Sequence, residues 1–229
     1  MRWALEHAGL PFVEEGHLPL FHWRATRRAG GGRTVPVLVT ETDGVLADST
    51  DILRFTDRAD RRLYPPAIDA EVAALEDDFD ERLGPHVRRL AYHHVLPDRR
   101  LVMRAALGHV PGWERAMLRA AYPLARAYMG RALGLDDAHA AQSLAMVEDV
   151  FAEVDRRLAD GRTFLAGDRF TAADLTFAAL GGPLVAPPEY PYLPVDRLPP
   201  ALVALRDRFR ATRAGDFALR MYREHRRRA

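Results

Sequence analysis

Cysteine and lysine are both absent from the 229 residues, and so are long apolar runs. Without Cys this chain supplies no disulfide, no thiolate metal site and no nucleophilic thiol. Without Lys, all 33 basic side chains are Arg, which reads as a bias of genomic composition, with function a distant second. Basic and acidic residues nearly cancel, to a formal charge of +1, so no large field attracts nucleic acid or a membrane surface. No segment is apolar over the length needed to span a bilayer. The opening Met1–His7 is not a secretory signal, because Glu6 and His7 interrupt its short apolar run. A cytoplasmic protein is the expectation. What is present, 48% hydrophobic residues, suits one or two compact domains with a real core.

The stretch from Thr34 to Ser49 carries the most information. Two short β-rich runs, Thr34–Val39 and Val45–Ala47, flank Asp43-Gly44, which predicts a hairpin. Pro36 at the head of a strand is odd unless its missing N–H and its bond isomer have a use. The residue before it, Val35, is held extended, so its main chain is placed to pair with an extended ligand as an added strand would. The second run ends in Asp48-Ser49, where the apolar spacing Ile52, Leu53, Phe55 begins. That is a helix start, whose free N–H groups favour an anion.

The remaining elements follow from spacing. Residues 1–8 read as a helix stopped at Gly9, residues 12–15 as a short strand, and 16–33 as a Gly-rich, Arg-rich loop. A helix is expected over about 50–59, then a linker from Asp60 to Pro66. Beyond it Ile68, Val72, Leu75, Phe79 and Leu83 form one helical face, with Pro85 expected to kink or divide it. Further helices are expected over 98–133, interrupted near Gly108–Gly112, and over 137–159. The run Pro183–Pro200 reads as a loop, and two helices near 200–213 and 215–226 close the chain. Thr171 is spaced to cap the next helix with Asp174 reaching back, and Phe170 and Leu175 are spaced as a hydrophobic staple.

Taken together, Val35-Pro36, Asp48-Ser49 and the Gly167-Asp168…Thr171…Asp174 block resemble the glutathione S-transferase family over nearly the whole chain. The resemblance implies an α+β, thioredoxin-like N-terminal domain (1–62), here truncated, followed by an all-α helical domain (67–229). It implies glutathione as co-substrate, a small hydrophobic electrophile, a homodimer, and no metal, nucleic acid or membrane partner. Val35-Pro36 looks like the family's cis-proline step and Asp48-Ser49 like its γ-glutamyl clamp, with Arg33 a further candidate for the glycyl carboxylate. Thr171 and Asp174 match the family's structural capping box. The family begins with a strand and a loop carrying Ser, Tyr or Cys; this sequence opens inside what resembles the first helix, so no catalytic residue is assigned, and a start upstream of Met1 is the expectation. A non-catalytic binding module of the same fold is the alternative.

Phe79, Tyr92 and Tyr122 are further candidates for lining the electrophile pocket, although aromatics at helical spacing are more often core. His93-His94 invites a metal reading, but neighbours on a helix point about 100° apart and do not converge. Arg226-Arg227-Arg228 reads as a solvated basic end.

Overall fold

The structure, a computed structural model, describes residues 1–58, 62–106, 110–192 and 197–226. The expectations on Asp60, Arg61, Gly108, Arg227, Arg228 and residues 193–196 lie outside the described residues.

The chain opens with helix α1 (Arg2–His7), which buries Trp3, Ala4 and Leu5. Gly9 takes a left-handed φ of +67° just past its end, where only glycine is free of a Cβ clash. Residues 12–15 form no strand: Val13 is 98% exposed, and the one sheet among the described residues lies elsewhere. A strand is stable only with a partner to satisfy its N–H and C=O groups, and among the described residues none pairs with this segment. Nor are residues 16–33 all loop, since His22–Arg28 form helix α2. Its Thr26 hydroxyl donates to the Gly32 carbonyl at 2.6 Å, folding the glycine run back onto the helix. That contact joins residues six apart, which helical periodicity does not register.

The hairpin consists of β1 (Leu38–Thr40) and β2 (Gly44–Leu46), antiparallel with Leu38 opposite Leu46. Gly44, at φ +70°, takes the left-handed position after the turn. Helix α3 (Ser49–Thr56) follows, and its N-cap is Asp48, which accepts from the N–H groups of Thr50 and Asp51.

The segment after α3 is not a loose connector. Leu63 and Tyr64 are buried, their N–H groups donate to the Asp57 carboxylate at 2.6 and 3.0 Å, and the Leu63 carbonyl accepts from Ala172 N–H. Helix α4 (Asp69–Asp78) passes through a π-helical turn (Phe79–Leu83) into α5 (Gly84–Val95). Pro85 has no N–H for a carbonyl four residues back, and the wider π turn takes up the mismatch. Helices α6 (Arg99–Ala105) and α7 (Gly112–Leu133) form an arm with Pro123 inside α7 and non-helical angles at Ala121.

Helix α8 (Asp137–Arg157) leads to α9 (Ala172–Val185), which is buried on nearly every side. Helices α1, α4, α5, α10 (Pro200–Arg210) and α11 (Arg213–His225) pack around it. Pro183 lies in the last turn of α9, so the loop expected from that residue begins later. At the other end the Asp174 carboxylate accepts from the N–H of Thr171 and of Leu165, both at 2.7 Å, and from the Thr171 hydroxyl at 2.9 Å. Phe79 belongs to this core: it is 2% exposed and its ring centroid lies 5.2 Å from that of Phe177. It therefore does not line the pocket, because the apolar face that suggested it points at α9.

Candidate functional site

A cavity of about 1050 Å³ separates the N-terminal segment from the helical domain. Leu18, Phe21 and Val35 line one side; Asp80, Tyr92, Tyr122 and Leu180 are among the residues on the other. The Val35–Pro36 bond is cis. Val35 is 60% exposed, and its main-chain N–H and C=O make no hydrogen bond to another described residue. An open main-chain donor and acceptor at the mouth of a cavity offer an extended peptide the edge of a strand.

Ser49 sits half-buried in the first turn of α3, and its hydroxyl donates to Asp80 Oδ2 at 3.3 Å. Asp80, from the π-helical turn, lines the cavity, so Val35 and Ser49 meet the same space, the latter through Asp80. Burial pushes the Asp80 carboxyl above its ordinary value; the Ser49 hydroxyl opposes that, and the charges of Asp48 and Asp77 add to it. The free N–H groups expected at this helix start are partly taken. Asp48 already accepts two of its free N–H groups, and a second carboxylate, that of Asp80, touches Ser49. A simple anion meets uncompensated negative charge here, whereas the α-amino-acid end of a peptide carries an ammonium that offsets it.

Behind the site, Glu76 is fully buried and accepts from the Thr50 hydroxyl at 2.8 Å and from the Tyr64 hydroxyl. Burial raises both the Glu76 carboxyl and the Tyr64 phenol. Arg54 clamps Asp69 with two hydrogen bonds of 2.7 Å and stacks over the Tyr64 ring. These contacts fix α3 to α4 and so fix Ser49 against Asp80. Neither Glu76 nor Asp80 was singled out from sequence: Asp80 reads as an ordinary polar position, and Glu76, four residues after Val72 and three before Phe79, falls on the buried face, where spacing does not show which partners a lone acid has.

On the N-terminal side, the buried Glu114 of α7 accepts from His17 Nδ1 at 2.6 Å and from Leu18 N–H at 2.7 Å. The bond to Glu114 raises the His17 pKa above its ordinary value. This pair ties one cavity wall to the other. Arg33 lies elsewhere: its guanidinium sits 5.1 Å from the Trp23 ring centre, and it does not line the cavity. Of the tyrosines, Tyr92 and Tyr190 line the cavity with hydroxyls that hydrogen-bond no other described residue, whereas Tyr122 donates to the Leu96 carbonyl. Burial raises the Tyr92 and Tyr190 pKa values, so both stay protonated donors at neutral pH. The His93 and His94 rings meet edge to face, with Asp137 3.5 Å from His93 Nε2.

Two family models match the sequence. That of the glutathione S-transferase N-terminal domain matches residues 1–59, and that of the glutathione S-transferase C-terminal domain matches 137–214. The chain belongs to the glutathione S-transferase family. Among solved structures, a theta class glutathione S-transferase of Xanthomonas axonopodis pv. citri with glutathione bound is 23% identical, with 95% of this chain and 88% of that chain covered and a TM-score of 0.51. A glutathione S-transferase of Ceriporiopsis subvermispora in complex with glutathione is 19% identical, with 100% and 89% covered and a TM-score of 0.61. A glutathione transferase of Phanerochaete chrysosporium is also 19% identical, with 100% and 89% covered and a TM-score of 0.63. At such identities the likeness is one of fold. A search of curated proteins finds no match. Most of the cavity's helical wall, including α6 and α7, lies between the two matched ranges. In this glutathione S-transferase family member that wall is where the chain's own character is to be sought.

Proposed function

We propose that the chain binds glutathione and transfers it to, or reduces with it, a hydrophobic electrophile. The observation that carries this reading is the unpaired main chain of Val35, opening on the same cavity as the Ser49–Asp80 contact. In this reading Val35 pairs with the tripeptide backbone beside Pro36. The Ser49 N–H and hydroxyl take the α-carboxylate of its γ-glutamyl end, and Asp48 and Asp80 face the ammonium. Thr171 and Asp174 keep a structural role, and Arg33 is left out of the ligand set.

The chemistry required is ionisation of a thiol whose ordinary pKa is about 8.5. The thiolate then attacks an electrophilic carbon and expels its leaving group, or attacks a peroxide oxygen and expels the alcohol. The apolar wall of the cavity supports a hydrophobic second substrate. The family resemblance supports a cytoplasmic homodimer, with domains divided as 1–62 and 67–229 and no metal.

The test is retention on immobilised glutathione together with glutathione-dependent conjugation of chlorodinitrobenzene and reduction of cumene hydroperoxide. Retention with either activity above the uncatalysed rate supports the enzyme. Retention without activity favours a binding module, and no retention overturns the reading.

A further inference from the structure

The formal charge of +1 conceals an uneven spread. Residues 16–40 hold four Arg and no Asp or Glu, and the rest of the chain is net negative. Arg24, Arg27 and Arg28 share one face of α2, at steps of three and four, and Arg33 follows the glycine run that folds back onto that helix. All four are exposed, and none makes a side-chain hydrogen bond or ion pair with a described residue. Of the acids on either side, Glu14 is held by Arg2 and Asp43 by Arg58, Glu15 meets His17, and the Glu41 side chain pairs with no described residue. Like charges at i and i+4 repel on a helix, so Arg24 and Arg28 cost α2 stability that an anionic partner restores. Apolar surface flanks these arginines. Val39 and Val45, a cross-strand pair, are 60% and 39% exposed, and Val45 lies against Gly30 at the end of α2. At the other end Trp113 is 55% exposed, its ring edge to face with that of Phe21, the residue before α2. An exposed Trp and branched aliphatics beside several cations are the composition of a surface that sits in a headgroup layer.

We propose that this face, α2 with Gly30–Arg33 and the flanking Trp113, Val39 and Val45, docks on an anionic lipid surface. Guanidinium groups meet lipid phosphates by charge-assisted hydrogen bonds, while Trp113 and the valines enter the headgroup layer. The small net charge does not forbid this, because exposed charges more than about 10 Å apart are screened at ordinary salt. The membrane meets the patch rather than the whole chain, and the acidic remainder turns away from it. A basic patch and a modest apolar contact hold together where each alone is marginal. Lipid is favoured over nucleic acid because the valines offer no stacking face to a base. The docking rests on no reading of the cavity. Leu20 and Phe21 line that cavity as well, so its rim lies beside the docked lipid.

The experiment is flotation of the full chain with vesicles of equal parts phosphatidylglycerol and phosphatidylcholine, against vesicles of phosphatidylcholine alone. The chain floats with the mixed vesicles and not with the neutral ones, and comes off at about 0.5 M salt. In the triple variant Arg24→Gln, Arg27→Gln, Arg28→Gln the lipid concentration for half-flotation rises about a hundredfold, roughly fivefold per charge, with circular dichroism unchanged. The charge-keeping variant Arg24→Lys, Arg27→Lys, Arg28→Lys stays within about threefold of the parent. So does Arg131→Gln, Arg156→Gln, Arg223→Gln, which removes three exposed arginines from α7, α8 and α11. Amide exchange gives a readout without substitution: mixed vesicles slow it across residues 22–33 of the parent chain and leave α10 unchanged. No flotation, equal flotation with neutral vesicles, an equal loss in the Arg131, Arg156, Arg223 variant, or unslowed exchange across residues 22–33 overturns the proposal. Binding of a fluorescent single-stranded oligonucleotide as tight as that of the mixed vesicles, and lost in the Arg24, Arg27, Arg28 glutamine variant, overturns it too, by giving the patch to nucleic acid.

Discussion

The Ser49 hydroxyl donates to Asp80 Oδ2 across 3.3 Å, joining the first turn of α3 to the π-helical turn at the edge of the cavity. If Asp80 faces the ligand's ammonium, it must be ionised to attract it. Its carboxyl is raised by burial, so glutathione affinity declines as the pH falls through that raised value, above the usual range for Asp. Asp80→Asn lowers affinity about tenfold at neutral pH and flattens the profile. Calorimetric titration across pH checks both; an unchanged profile in the variant removes Asp80 from the site.

Asp174 holds the N–H groups of Leu165 and Thr171 where neither Thr171 nor Asp174 is exposed at all. Asp174→Ala leaves both donors without an acceptor and lowers stability by about 3–5 kcal/mol, read from urea unfolding. Burial pushes this carboxyl up to about 6. Between the ordinary carboxylate range and that value the folded state holds a proton that the unfolded state releases. Stability from this group therefore declines as pH rises through the window and then levels off. The variant lacks that slope.

The His17–Glu114 pair behaves in the opposite sense to an ordinary acid pair. The His17 pKa is raised in the folded state, chiefly by its bond to Glu114. Its stabilising effect is complete below the ordinary histidine range and is lost as pH rises through the raised value. Hydrogen exchange of the Leu18 amide, which donates to Glu114, speeds up over that rise by more than base catalysis alone requires. Glu114→Ala speeds it at every pH and costs about 2–4 kcal/mol, because Glu114 is fully buried and the His17 and Leu18 donors lose their acceptor. A protection of the Leu18 amide, relative to its base-catalysed intrinsic rate, that stays constant over that rise in the parent chain contradicts this.

Proteolysis separates the expected connector from the observed one. With Leu63 and Tyr64 buried and hydrogen-bonded to Asp57, the first cut by a glutamate-specific protease falls after Glu14 or Glu15, beside the exposed Val13. Mass spectrometry of the first fragments decides it. A first cut after Glu71 or Glu76 contradicts the packing described.

What the sequence made legible was local. The Asp43-Gly44 turn, the spacing of Val147, Phe151 and Val154 in α8, and the Thr171…Asp174 spacing each have their cause within one or two turns of chain. What stayed hidden depends on contacts that periodicity does not register. Helix α2 is closed by a bond from Thr26 to Gly32, and the 12–15 strand fails for want of a partner among the described residues. Asp80 reads as an ordinary polar position and Glu76 as a lone acid among apolar neighbours, because which residues meet a cavity or a buried partner is decided by segments far along the chain. Periodicity separated the faces of α5 but not which neighbour each one met.

The central claim is that a tripeptide is held by the Val35 main chain and the first turn of α3. Amide chemical shifts of the labelled protein, followed during titration with glutathione, test it directly. The account predicts saturable shifts at the Val35 and Ser49 amides, with the Arg208 amide, on α10, unmoved. Ser49→Ala should weaken the binding about tenfold. Saturable binding that leaves the Val35 and Ser49 amides in place, or no binding at all, contradicts it.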